Sequence, residues 1–191
     1  ISLMLLQAKI RWQVDQLKAY AEDVFLFIDE PILSALGGST YLSVSREETL
    51  RLLTETVSAI TGSGAIPGIH CCANADWTLA IESGVKVISF DAYHYSDNLL
   101  AYHSEVEEFL KTGGYLAWGI VPTTDDILKE TPESITAKFD DRLKTLSARI
   151  PGDLLTSRAI LTPSCGTGSR SVEETTKVFQ LLLRLKEAFS G

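Results

Sequence analysis

Three cysteines among 191 residues, two of them adjacent at 71 and 72, leave little material for cross-links. Neighbouring cysteines do not readily bridge and one thiol of three is left over, so a disulfide framework is excluded and a reducing, cytoplasmic setting is expected. No apolar run approaches the roughly 20 residues that cross a bilayer, and no basic segment followed by an apolar stretch opens the chain, so neither a membrane span nor a secretory leader is expected. Basic residues are also in short supply. Seventeen Lys and Arg face 25 Asp and Glu, a formal charge of −8, whereas a surface that tracks phosphates needs clustered cations. Nucleic acid and anionic membranes are therefore not expected as partners. No low-complexity linker interrupts the chain, and with 45% hydrophobic residues residues 1–191 read as a single domain with one core.

What is present is an alternation. "VFLFID" (24–29), "AIPGIH" (65–70), "VKVISFD" (85–91), "YLAWGIV" (115–121) and "RAILTPSC" (158–165) are apolar runs that close on polar or reactive residues, the pattern of strands buried on both faces. Between them lie amphipathic stretches at Ser45 to Gly62, Asp76 to Ser83, Ser96 to Leu110 and Pro132 to Ile150, with a last helix from about Ser171 to Phe189. Ser45 with Glu48 fits a capping box, Ser134 is a candidate cap beyond Pro132, and Gly84 stands where a left-handed C-terminal residue belongs. Gly37-Gly38, Gly113-Gly114 and Gly166-Thr167-Gly168 punctuate loops. The last lacks the lysine of a phosphate loop.

Strict alternation of this kind means an α/β fold with a parallel sheet, either doubly wound or a (β/α)₈ barrel. Five strands are too few to close a barrel. The chain starts at Ile1 inside a helical pattern marked by Leu6, Ile10, Val14, Leu17 and Tyr20, a helix that should follow an earlier strand. The expectation is the last five β/α units of a TIM barrel, its N-terminal strands missing. Trp12 and Trp77 are expected in the core.

In such folds functional groups gather where strands end. That rule selects Asp29 with Glu30, His70 with Cys72, Asp91, and Cys165. His70 and Cys72 are two apart and project to one side of an extended backbone, while Cys71 points to the other and reads as packing. "GIHCCANADW" (68–77) therefore raises three possibilities: a metal site, a redox pair, or buried thiols beside a stray imidazole. An imidazole and a thiolate on one face, joined by a third soft donor, suit zinc, and Cys165 is the remaining thiol. Asp29 and Asp91 have a plainer reading as caps of the helices that follow. His94, His103 and tyrosines 93, 95 and 102 read as wall and surface residues.

These stretches resemble the catalytic barrel of the cobalamin-independent methionine synthase family, within the wider uroporphyrinogen decarboxylase-like group. "FIDEPIL", "IHCCAN", "ISFDAY" and "TPSCGTGSRS" resemble its strand-end motifs, in the same order along most of the chain. The resemblance implies a zinc-dependent methyltransferase that forms methionine from homocysteine. It implies zinc ligation by His70, Cys72 and Cys165, with Asp91 in the position of a carboxylate ligand that the family's synthases fill with Glu. Asp29, with Glu30 beside it, would take the amino group of homocysteine. No residue is assigned as a catalytic acid or base. Methyltetrahydrofolate and a methylated corrinoid protein are both possible donors. In "YLAWGIVPT", Trp118 stands where folate-dependent members carry a proton-donating histidine, which favours the corrinoid. The alternatives are a methylcobalamin:coenzyme M-type methyltransferase, a metal-free uroporphyrinogen decarboxylase-like enzyme, for which Arg170 is the one arginine at a strand end, and a non-catalytic domain.

Overall fold

Each of the five apolar runs becomes a strand. In the computed structural model, which describes residues 2–30, 33 and 45–190, β1 is Phe25–Asp29, β2 Ile66–Cys71, β3 Val87–Phe90, β4 Tyr115–Val121 and β5 Ala159–Pro163. They form one parallel sheet in the order β1-β2-β3-β4-β5. Pro31 and Ile32 of the first motif, and Gly37-Gly38, lie outside the described residues. By its contacts the chain divides into two compact units, Ile1–Cys71 with Ala75–Ile88, and Cys72–Asn74 with Ser89–Gly191.

In the first unit, α1 (Ser2–Lys18) and α2 (Arg46–Gly62) precede β1 and β2, and α3 (Trp77–Glu82) follows β2. Ile10, Val14, Val24, Ile60 and Ala65 make its core, with Leu26 and Ile28 packed against them. The α1 stripe is buried only at Ile10 and Val14; Leu6, Leu17 and Tyr20 are exposed. Trp12, expected in the core, is 63% exposed, because a residue two positions from both Ile10 and Val14 lies on the opposite side of the helix. Trp77 is buried as expected. Nor is β1 buried on both faces. Its residues alternate between exposed and half-buried, since β1 is an edge of the sheet.

Ser45 caps α2 by accepting from the Glu48 amide at 3.2 Å. The Glu48 carboxylate does not return the bond; it pairs with Arg51 at 2.7 Å on the next turn. Gly84 adopts φ +89° after α3, where a Cβ would be strained.

In the second unit, the amphipathic stretch after β3 is two helices, α4 (Ser96–Leu100) and α5 (His103–Lys111). After β4 come a 3₁₀ turn (Asp125–Leu128), α6 (Pro132–Ser147) and a short α7 (Gly152–Ser157) that the apolar pattern did not reveal; α8 (Val172–Ser190) follows β5. Thr131, not Ser134, caps α6; Ser134 completes a reciprocal capping box from the third position, and Pro132 sits in the first turn, where no amide is needed. The inner strands β3 and β4 are almost wholly buried. Trp118 lies against Phe90 and Phe139, with ring centroids 5.5 and 5.3 Å away. Among the described residues no helix is long and apolar enough to cross a membrane.

Candidate metal centre

Along β2 the side chains alternate. Ile69 and Cys71 are buried at 0% and 2% exposure, whereas His70 is half-buried and Cys72, just past the strand end, is exposed. The period-2 geometry of a strand thus separates Cys71, packed in the core, from the imidazole and thiol on the other face. Asp29, the last residue of β1, is in register with His70, and the Glu30 amide donates to the His70 carbonyl at 3.0 Å. Asp29 is exposed and Glu30 half-buried, which leaves the Asp29 carboxylate open to solvent one strand away from the histidine.

Cys165 is positioned by its neighbours. Where β4 and β5 end, their register shifts between Gly119 and Val121. Ser164 is then held at three points: its amide donates to the Val121 carbonyl at 2.8 Å, and its hydroxyl accepts from the Thr123 amide at 3.1 Å and meets the Thr123 hydroxyl at 3.2 Å. Ser164 is buried and Cys165, the next residue, is exposed. Gly119 permits this approach. A Cβ there would stand 2.6 Å from the Phe90 carbonyl oxygen and 2.7 Å from the Ser164 Cα.

The outcome is a cluster. One ligand atom from each of His70, Cys72 and Cys165 lies within 4.8 Å of the others. In a tetrahedral zinc site with bonds of 2.0–2.3 Å, ligand atoms sit roughly 3.5–3.8 Å apart. Small side-chain rotations close that gap, and one nitrogen with two sulfurs is a donor set that binds zinc or another soft ion well. These three groups could therefore hold a metal ion. None of the three cysteines is in a disulfide.

Asp91 is not among the residues whose ligand atoms meet. Buried at the end of β3, it accepts from the His94 amide at 2.9 Å and pairs with His94 Nδ1 at 2.8 Å. His94 Nε2 reaches Asp126 at 3.2 Å. The imidazole, read from the sequence as wall, is thus held between two carboxylates. Burial pulls its pKa down, but the bonds to Asp91 and Asp126 outweigh that, and the net shift is upward. Asp126 is held below the usual carboxylate range by His94 first and by the Thr124 hydroxyl. Nearby, the Tyr93 hydroxyl donates to Glu130 at 2.5 Å while Lys138 stands 4.0 Å over its ring; burial, then Glu130, raises the phenol's pKa and keeps it protonated. Sequence reasoning missed Asp126. The rule that selected Asp29 and Asp91 extends to it, since "TTDD" follows β4.

Arg170 spends its guanidinium on Asp125 at 2.7 Å and Glu174 at 3.8 Å. Trp118 is fully buried in the aromatic layer between β4 and α6. No family model matches the chain, and no curated protein matches it.

Proposed function

We propose that the protein is a zinc-dependent thiol S-methyltransferase of the methionine-synthase type, built on the C-terminal β/α units of a TIM barrel and acting in the cytoplasm, with homocysteine as acceptor. The observation that carries this reading is the meeting of His70, Cys72 and Cys165, from two strands far apart in sequence, within 4.8 Å. A buried structural thiol pair would not place two of its sulfurs in exposed positions.

In this reading His70, Cys72 and Cys165 hold the metal. Bound zinc supplies the Lewis acidity that keeps an acceptor thiol ionised at neutral pH. Asp29, solvent-open beside His70, binds the acceptor's ammonium group and sets its sulfur in line with the methyl carbon, where orientation is the main contribution to rate. The new S–CH₃ bond forms as the methyl group leaves its donor. An acidic residue here favours an amino-acid thiol over a sulfonate such as coenzyme M. Trp118, packed against Phe90 and Phe139, has no acidic proton to give a departing folate, which favours the corrinoid donor. A tetrapyrrole decarboxylase would need arginines available to substrate carboxylates, and Arg170 is already paired.

The test is zinc content and methyl transfer on the reduced protein. One equivalent of zinc is expected, lost in Cys72→Ser and in Cys165→Ser, with methyl transfer to homocysteine from methyltetrahydrofolate or methylcobalamin abolished in both. A protein that never holds zinc under reducing conditions overturns the proposal.

A further inference from the structure

The same two exposed sulfurs permit a second chemistry. Cys72 and Cys165 both belong to the second compact unit, both are exposed and unbridged, and their sulfurs lie within 4.8 Å. A disulfide requires about 2.05 Å. Moving one cysteine between staggered χ1 wells displaces its sulfur by roughly 3 Å, enough to close the difference. Each residue lies just past a strand end. The chain after Cys165 has room to adjust, because a Cβ on Gly166 or Gly168 would meet nothing within 4 Å. The third thiol does not compete. Cys71 is buried at 2%, and adjacent Cα atoms, 3.8 Å apart across a trans peptide, are closer than an ordinary disulfide spans.

We propose that Cys72 and Cys165 form a reversible thiol–disulfide switch that closes under peroxide and disables the metal cluster. One sulfur ionises and, as thiolate, attacks a peroxide oxygen; the O–O bond breaks, the departing hydroxide takes up the proton lost on ionisation and leaves as water, and a sulfenic acid remains. The second sulfur attacks the sulfenic sulfur, the S–O bond breaks, and the departing hydroxide takes the remaining thiol proton as a second water. The two sulfurs together lose two electrons and hydrogen peroxide gains them. Afterwards neither sulfur is a thiolate, so two of the three donors are withdrawn from any metal. Reduction by a dithiol restores them. The pairing rests on the sulfur geometry alone; only the metal-release arm rests on the zinc reading above.

The experiment treats the native, reduced chain with hydrogen peroxide, as isolated and after zinc loading, and follows intact mass, cross-linked peptides and free zinc with a chromogenic chelator. The expected result is a loss of about 2 Da, a Cys72–Cys165 cross-link, release of any bound zinc in step with that loss, and full reversal by dithiothreitol. Cys71→Ser should still lose the 2 Da; Cys72→Ser and Cys165→Ser should not. A Cys71–Cys72 cross-link, an intermolecular one, oxygen adducts without the 2 Da loss, or zinc retained by the cross-linked chain would each overturn the switch. A chain that holds no zinc yet forms the cross-link defeats the methyltransferase reading and leaves the thiol pair standing.

Discussion

Replacing Gly119 by alanine asks whether the close approach of three strand ends is what delivers Cys165 to the cluster. The added methyl would stand 2.6 Å from the Phe90 carbonyl oxygen and 2.7 Å from the Ser164 Cα, where ordinary contact begins at 3.4 Å. Relief therefore needs shifts of about 0.8 and 0.7 Å by simple difference, and both obstacles are backbone atoms of flanking segments, unable to swing aside as a side-chain tip would. Overpacking of this kind costs about 1–3 kcal/mol. With a urea slope of about 2 kcal/mol/M the unfolding midpoint should fall by about 0.5–1.5 M. Ser164 precedes Cys165, so zinc affinity should fall along with stability. Gly166→Ala is the control: a methyl there meets nothing within 4 Å, and its midpoint should match the parent. Equilibrium urea unfolding followed by circular dichroism, with zinc titrated against a chelator, reads both quantities. A Gly119→Ala protein with the parent's midpoint and zinc affinity would refute the argument that this glycine sets the sulfur's position.

Three further outcomes are expected. Cys71→Ser should keep its zinc and its methyl transfer while losing about 1–3 kcal/mol of stability, because a hydroxyl replaces a thiol in the core; metal loss equal to that of Cys72→Ser would show that the strand-face argument is wrong. Asp29→Asn should raise the KM for homocysteine more than it changes zinc content, and loss of metal instead would reassign that carboxylate. His94 should titrate above the ordinary imidazole value of 6.5, and Asp126→Asn should lower it, as read by NMR of the ring protons. The sign for stability follows from linkage. A raised histidine pKa contributes stability that is complete below 6.5 and lost as pH rises through the folded value, while the depressed Asp126 contributes above its ordinary 3.8 and loses that as pH falls through its folded value. The pair is therefore worth most between about pH 4 and 6.5, and a His94 that titrates at or below 6.5 would contradict the contacts on both ring nitrogens.

The five strands, their parallel arrangement and the facing of His70 and Cys72 away from Cys71 were legible in the sequence, because strand periodicity is a local property of backbone geometry that survives in any sheet context. Burial was less legible. Phe25 and Phe27 read as doubly buried but are 43% and 40% exposed, since a run of apolar residues looks the same in a central strand and at an edge. Trp12 was misplaced for a related reason: hydrophobicity says that a side chain gains by burial, not that a partner surface lies on its side of the helix. The His94–Asp126 contact and the pinning of Ser164 by Thr123 join residues 32 and 41 positions apart, and no periodic signal reports such pairings. By itself the sequence determined that His70 and Cys72 share one side of β2, away from Cys71, and that Cys165 is the remaining thiol at a strand end. Only the tertiary structure decided that Cys165 meets His70 and Cys72 and that His94, beside Asp91, reaches Asp126, because both outcomes depend on how closely segments far apart in the chain approach, a distance set by packing around Gly119 and by hydrogen bonds between distant residues.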